Sequence, residues 1–197
     1  KTIVNRLLIL IRLFHIISVL FQMIKRYCVA KFQIVKYGDQ ILRNKTKPVE
    51  KITKDIKQLA EDMLETMYAF YGAGLAAPQI GIPLKICVID VMPDGKRNPV
   101  VLINPVIISG ENKINTEEGC LSFPGIYENV PRFDKVTVQY LGLNEQIKTL
   151  EAKGFLAKAV QHETDHLNGK LFIDYLQPWK RKIVEKEIKR RKKGGDW

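Results

Sequence analysis

Two histidines four residues apart, with a glutamate between them, stand in AVQHETDHLNG, residues 159–169. On a helix, positions i and i+4 share a face, so His162 and His166 can present a ring nitrogen to one divalent ion. Glu163, beside the first of them, would be within reach of a water on that ion without having to bind the ion itself. This is the equipment of metal-assisted amide hydrolysis. A catalytic ion wants three protein ligands and an open position. In HExxH proteases the third ligand lies downstream, yet no histidine follows His166, and Glu185 and Glu187 sit in a basic tail. The third histidine, His15, lies in an apolar N-terminal segment. The soft candidate is Cys120 in TEEGCLSFPG, where Gly119 lets the backbone come close and Ser122 and Pro124 form a turn behind it. Cys87, inside LKICVIDV, reads as a core thiol, and Cys28 has no role.

These residues need a scaffold. The 197 residues suffice for one domain with a real core and are too few for two. A composition of 46% hydrophobic and 27% charged residues is globular, not disordered. Three scattered cysteines make no disulfide framework and fit a reducing compartment. The net charge of +11 invites a nucleic-acid partner, but its location matters more than its size. Residues 1–38 hold seven Lys/Arg and no acid, residues 180–197 nine against three, and residues 39–179 sixteen against eighteen. The near-neutral middle argues against a metal-stabilised RNA-binding protein.

The first segment, VNRLLILIRLFHIISVLFQMIKR, is apolar enough to raise membrane contact by residues 1–24 or a targeting role. As a spanning helix it is poor, because Arg12 would lie near mid-bilayer at a cost of roughly 3 kcal/mol. YCVAK is a weak secretory cleavage site, an organelle transit peptide matches the acid-free composition about as well, and Met23 is an alternative start. Residues 1–30 are therefore set apart from the fold. The body opens with FQIVKYGDQILRNKTKPV, a short apolar run, a turn at Gly38-Asp39 and an extended approach to Pro48. In TKDIKQLAEDMLETMYAFYG, Ile56, Leu59, Met63, Met67 and Phe70 recur at three and four residues; with Thr53 as N-cap and Gly72 as stop, this predicts an amphipathic helix. LKICVIDV and PVVLINPVII are β-branched runs bounded by Pro and Gly, hence strands. DKVTVQYLGLNEQIKTLEAKG alternates about a GLNE turn and predicts a hairpin. FLAKAVQHETDHLNG returns to helical period and stops at Gly169. PWKRKIVEKEIKRRKKGGDW predicts a basic helix that frays into Gly-Gly. There is no internal repeat. Strands followed by a functional helix, without βαβ alternation, point to an α+β domain.

GAGLAAPQ (72–79), EGCLS (118–122) and QHETDH (161–166) resemble, in order, the three signature motifs of the peptide deformylase family. The resemblance covers about residues 30–180. It implies antiparallel or mixed β-sheets packed around a central metal-binding HExxH helix, with a long N-terminal helix and a C-terminal helix. The chain then divides into an extension at 1–30, a catalytic domain at 31–179 and a basic helix or tail at 180–197. The implied ligands are Cys120, His162 and His166 around one divalent metal, Fe²⁺ natively, with Zn²⁺, Ni²⁺ or Co²⁺ able to substitute. A thiolate favours metals that tolerate sulfur, and it leaves an Fe²⁺ site open to oxidation. The implied reaction is hydrolysis of the N-formyl group from the formyl-methionine of new polypeptides, releasing formate. Glu163 would move the proton from water to the departing amine, while the Gln79 side chain and the Leu121 N–H stabilise the oxyanion.

The same resemblance has the backbone around Ala73 and Gly74, and that of Gly119, pairing with substrate as an added strand. Gly72 and Gly74 are expected to permit close approach and unusual φ angles. The wall of a methionine pocket aligns with Phe155, Lys158 and Ala159. Lys158 departs from the family, where an apolar side chain is usual; its stem can line the pocket with the ammonium in water. Glu118, grouped with the substrate-binding residues, is expected to brace its loop through a cation such as Arg132. The basic C-terminal helix implies contact with the ribosome or rRNA, in a bacterial cytoplasm or in an organelle of bacterial origin reached through the N-terminal segment. A HExxH metalloprotease or other amidase is the alternative, one that gives no reason for EGCLS or GAGLAAPQ.

Overall fold

The computed structural model describes residues 31–195 and residue 197. The expectations for residues 1–30, including membrane contact by 1–24, lie outside the described residues. Among the described residues there are three α-helices, α1 (Lys54–Ala69), α2 (Phe155–Leu167) and α3 (Pro178–Gly194), with five strands: β1 (Gly74–Ala76), β2 (Ile86–Ile89), β3 (Val100–Cys120), β4 (Phe123–Leu141) and β5 (Ile147–Lys153). The strands form one sheet in chain order, and every neighbouring pair is antiparallel. The mixed pairing allowed by the sequence is absent from that sheet; parallel contacts among the described residues are two isolated bridges, Tyr37 with Asp39 and Lys47 with Leu84.

Helix α1 begins where the Thr53 hydroxyl accepts the Ile56 N–H at 3.3 Å. It ends at Ala69, and the Gly72 N–H returns to the Met67 carbonyl at 2.9 Å. Met63 and Met67 pack on Leu75, Ile86, Val88 and Ile103. Phe70, the last residue of the expected apolar stripe, is 39% exposed and faces a cavity instead. Strand β2 is buried on both faces, which is why LKICVIDV is apolar throughout rather than alternating. Ile86 and Val88 meet the α1 group, while Cys87 and Ile89 join Val136, Val138 and the α2 residues Ala157, Val160 and Leu167. Helix α2 therefore lies against the face of the sheet opposite α1. Its last carbonyl, that of Leu167, accepts both the N–H (3.1 Å) and the hydroxyl (2.8 Å) of Thr46.

Strand β3 is twice the length that PVVLINPVII predicts. It continues through the polar stretch 109–119 because β4 pairs along it as far as Gly119 with Tyr127. Strand β2 flanks it only at Val100–Ile103. The GLNE turn joins β4 to β5 as expected, with Leu141 opposite Ile147. Helix α3 starts at Pro178 and stays helical to Gly194 rather than fraying at its glycines. It docks through Val184 and Ile188 on Leu42, Phe123 and Phe172. No described helix is long and apolar enough to cross a membrane.

Candidate active site

Helix α2 carries His162, Glu163 and His166, all buried. Cys120 ends β3 just before the hairpin turn, and its Sγ lies 3.3 Å from His166 Nε2. One ligand atom from each of Cys120, His162 and His166 falls within 4.8 Å of the others. His162 Nδ1 bonds Glu118 Oε2 at 2.8 Å, which leaves its Nε2 for the same centre. His166 Nδ1 and Glu163 Oε2 are buried without a hydrogen-bond partner. One sulfur and two imidazole nitrogens at this spacing fit a tetrahedral divalent ion with one position open. The residues present fit the group.

A second layer fixes the His162 side of this cluster. Arg132 grips Glu118 with two bonds, Nε to Oε1 at 2.7 Å and Nη2 to Oε2 at 3.1 Å, and reaches Asp165 Oδ2 at 2.5 Å with Nη1. The Tyr175 hydroxyl also donates to Asp165, and the Arg132 guanidinium lies 4.5 Å from the Tyr175 ring centre. Burial alone would raise the Glu118 carboxyl, but bonds from His162 and Arg132 hold it at about 2. Burial would lower His162, yet Cys120 and Glu118 outweigh it and raise the imidazole well above 6.5. His166 is lowered by burial and by the positive charges of His162, Arg132 and Arg43. Burial lifts Glu163 to about 7 against the opposing charge of His162, with Glu118 adding to the rise and Arg132 opposing it. A carboxyl poised there can both take and give a proton near neutrality.

Gln79 sits in the short 3-10 turn Ala77–Ile80 that follows β1. Its Oε1 accepts the Ala76 N–H at 2.7 Å, which fixes the amide so that Nε2 faces Cys120 Sγ at 3.4 Å. Leu121 occupies the hairpin turn, and Lys36 Nζ donates to its carbonyl at 3.0 Å. The glycines of GAGLAAPQ serve close approach, as expected, but not an unusual φ. The left-handed residue is Tyr71, at φ 56. A Cβ on Gly72 would meet Leu121 Cδ1 at 2.9 Å, and one on Gly74 would fall on the Glu163 side chain. Gly119 is bare because the Tyr127 ring occupies the place of its Cβ.

A cavity of about 630 Å³ opens beside this centre. Ala73, Gly74 and Gln79 line it from the β1 side, and Gly119, Cys120 and Leu121 from the hairpin. Phe155, Ala159, His162 and Glu163 line it from α2, while His166 stands behind the lining. Glu118 also borders the cavity, but its carboxylate is engaged by Arg132 and His162. Lys158 reaches across to the Glu117 carbonyl at 2.9 Å. The structure adds Asp165, Gln161, Lys36 and Tyr127 to the residues the sequence marked. Gln161 carried a signal, its place inside QHETDH: its amide bonds both the N–H and the carbonyl of Phe133 and so locks α2 to β4. Lys36 carried none, lying 85 residues from its acceptor.

The family model described as polypeptide deformylase matches residues 31–182. The peptide deformylase of Endomicrobium trichonymphae is 60% identical over 168 residues, 85% of this chain and 99% of that protein. That of Nitrosococcus oceani is 47% identical over 164 residues, 83% of this chain and 98% of that protein. The crystal structure of a peptide deformylase from Legionella pneumophila superposes with a TM-score of 0.78 at 42% identity, covering 82% of this chain and 95% of that one. One from Synechococcus elongatus, in complex with actinonin, gives 0.77 at 38% identity, covering 83% and 89%. Nothing in these likenesses favours a HExxH protease. Three motifs in order, the Cys-His-His centre and matches along nearly the whole described chain place it in one family: this chain belongs to the polypeptide deformylases.

Proposed function

We propose that this chain removes the N-formyl group from the formyl-methionine of new polypeptides, with Cys120, His162 and His166 holding one divalent ion and Glu163 as acid and base. The observation that carries the residue assignment is the gathering of one sulfur and two imidazoles within 4.8 Å, beside a buried carboxyl at the wall of an open cavity. A divalent ion there supplies Lewis acidity and brings the pKa of a water toward about 7. The ion proposed is Fe²⁺, as the family resemblance implies, and the sulfur and two imidazoles equally accept Zn²⁺, Ni²⁺ or Co²⁺ as substitutes. Glu163 takes a proton onto a carboxylate oxygen and delivers it to the departing nitrogen, so that the amine leaves neutral. Gln79 presents its NH₂ where the formyl oxygen becomes negative, and the Leu121 N–H is the second donor. Lys36 steadies that turn through the Leu121 carbonyl. Ala73, Gly74 and Gly119 offer backbone on two sides of the cavity for an added substrate strand. Phe155, Ala159 and the Lys158 stem form the pocket for the methionine side chain.

Formate release from a formyl-methionyl peptide, under anaerobic Fe²⁺, tests the assignment. Glu163→Ala is expected to lose a factor of about 10² to 10⁴. No release by the wild type, or undiminished release by the variant, would overturn it.

For the partner and the location, we propose the ribosome and a bacterial cytoplasm, with an organelle of bacterial origin as the alternative. Exposed Lys182, Lys186, Lys189 and Lys193 recur at four, three and four residues, one stripe along α3. Glu185 and Glu187 are paired with Arg181, Arg190 and Arg191 and leave that stripe positive. Removing the helix would strip Val184 and Ile188 from the core, so the informative variant replaces the four lysines with glutamine. Co-sedimentation with ribosomes should fall for that variant at low salt; equal sedimentation sinks the idea.

A further inference from the structure

We infer that Lys158 caps the substrate-pairing edge of β3, so that backbone recognition of the nascent chain stops at the residue that meets Gly119. This rests on the deformylase and strand-addition readings above. Past Ile103, β3 has β4 on one side and no described strand on the other. That uncovered edge borders the cavity at Glu117 and Gly119. Strand residues two apart turn their backbone groups to the same edge. A peptide laid antiparallel on Gly119 would therefore meet the Glu117 carbonyl two residues further along.

That carbonyl already has a donor. Lys158 Nζ gives it a hydrogen bond at 2.9 Å, and the ammonium lies 4.6 Å from the centre of the Phe155 ring. Phe155 and Lys158 are one turn apart on α2, so the ring holds the ammonium from its own helix. An ammonium has three donors and no acceptor, so it occupies the open-edge approach to the carbonyl and offers nothing to an incoming N–H. An uncapped edge carbonyl is by contrast a docking point for a further peptide N–H. Lys158 ties α2 to β3 across the outer wall of the cavity, which an apolar side chain could not do. The substrate class that follows is a formyl-methionyl peptide read at its first residues and indifferent to length beyond them.

The test uses the metal-loaded enzyme and three C-terminally amidated peptides: formyl-Met-Ala, formyl-Met-Ala-Ser and formyl-Met-Ala-Ser-Ala. The quantity read is the ratio of kcat/KM for the longest peptide to that for the shortest, taken within each enzyme. For the wild type the ratio should stay below about twofold. For Lys158→Met it should rise to about fivefold, the gain lying in the KM ratio between the peptides, the size of one net backbone hydrogen bond. Lys158→Arg, which keeps the donor, should behave as the wild type, and Lys158→Ile as Lys158→Met. N-methylating the backbone nitrogens of the longest peptide in turn should abolish the gain at one position in Lys158→Met and change nothing there in the wild type. Equal ratios for wild type, Lys158→Met and Lys158→Ile, or a gain that survives every methylation, would overturn the cap alone. No formate from any peptide with the wild type would overturn the reaction itself.

Discussion

A methyl group at Gly74 would stand 2.8 Å from Cδ and 2.9 Å from Cγ of Glu163. Glu163 is buried at the cavity wall, so the added methyl would push its carboxyl out of its present place. The glycine thus lets β1 run against Glu163, the proposed acid and base. Gly74→Ala is expected to displace the carboxyl and lower kcat about 10²-fold, with metal content per chain unchanged, since the ligands come from α2 and Cys120. Parallel loss of metal and activity would show the strain reaching the ligands instead. Arg132 acts by charge rather than shape. Arg132→Leu leaves Glu118 buried beside His162 without its cation and should cost about 3–5 kcal/mol in urea unfolding; a loss below about 1 kcal/mol would contradict the brace. The Cys120, His162 and His166 cluster was legible in the sequence because metal binding selects residue types at set spacings. The tasks of Asp165 and Gln161, inside the same motif, were not: their partners Arg132 and Phe133 lie 33 and 28 residues away, and nothing local names them.

Among the elements, α3 shows how packing overrides composition. Nine basic residues in 180–197 predict a solvated helix, yet Val184 and Ile188, four residues apart, are buried and seat it on Phe123 and Phe172, with Lys180 and Arg181 paired to Glu128 and Asp174. Phe123 directly follows the turn, three residues after Cys120, and lines the cavity, its ring 5.0 Å from that of Phe172. Ile188→Ala is expected to destabilise the protein by about 2–5 kcal/mol and to speed metal loss to a chelator, because the cluster it loosens backs the ligand loop. Destabilisation with unchanged metal release would mean the loop is held without α3. Strand β3 makes the complementary point. Residues 109–119 are polar and lack alternation, so periodicity gives no strand there; β4 imposes one by pairing residue for residue. The α1 period, the β2 run and the β4–β5 hairpin were legible because local pattern and tertiary packing agree in them.

For the whole molecule, the metal centre couples stability to pH. His162 is held above its ordinary 6.5, so the stability it supplies to the metal-free protein is full below 6.5 and is lost as pH rises through its folded value. Glu163, raised from 4.5 to about 7, works in the same sense: its share is present below 4.5 and gone by about 7. His166, held below 6.5, has the opposite sign, and its share is lost only as pH falls under 6.5. Glu118, lowered from 4.5 to about 2, loses its share as pH falls from 4.5 toward 2. Above pH 6.5, then, the shifted groups of the centre bring only losses to the metal-free protein. A divalent ion on the proposed ligands would take the place of the His162 proton, and that competition eases as pH rises. The gap in Tm between metal-loaded and chelator-stripped protein should therefore widen steadily from pH 6.5 to 8.5 in scanning calorimetry. A gap that is constant or narrows over that range would mean that the proton on His162 and the metal do not share one site.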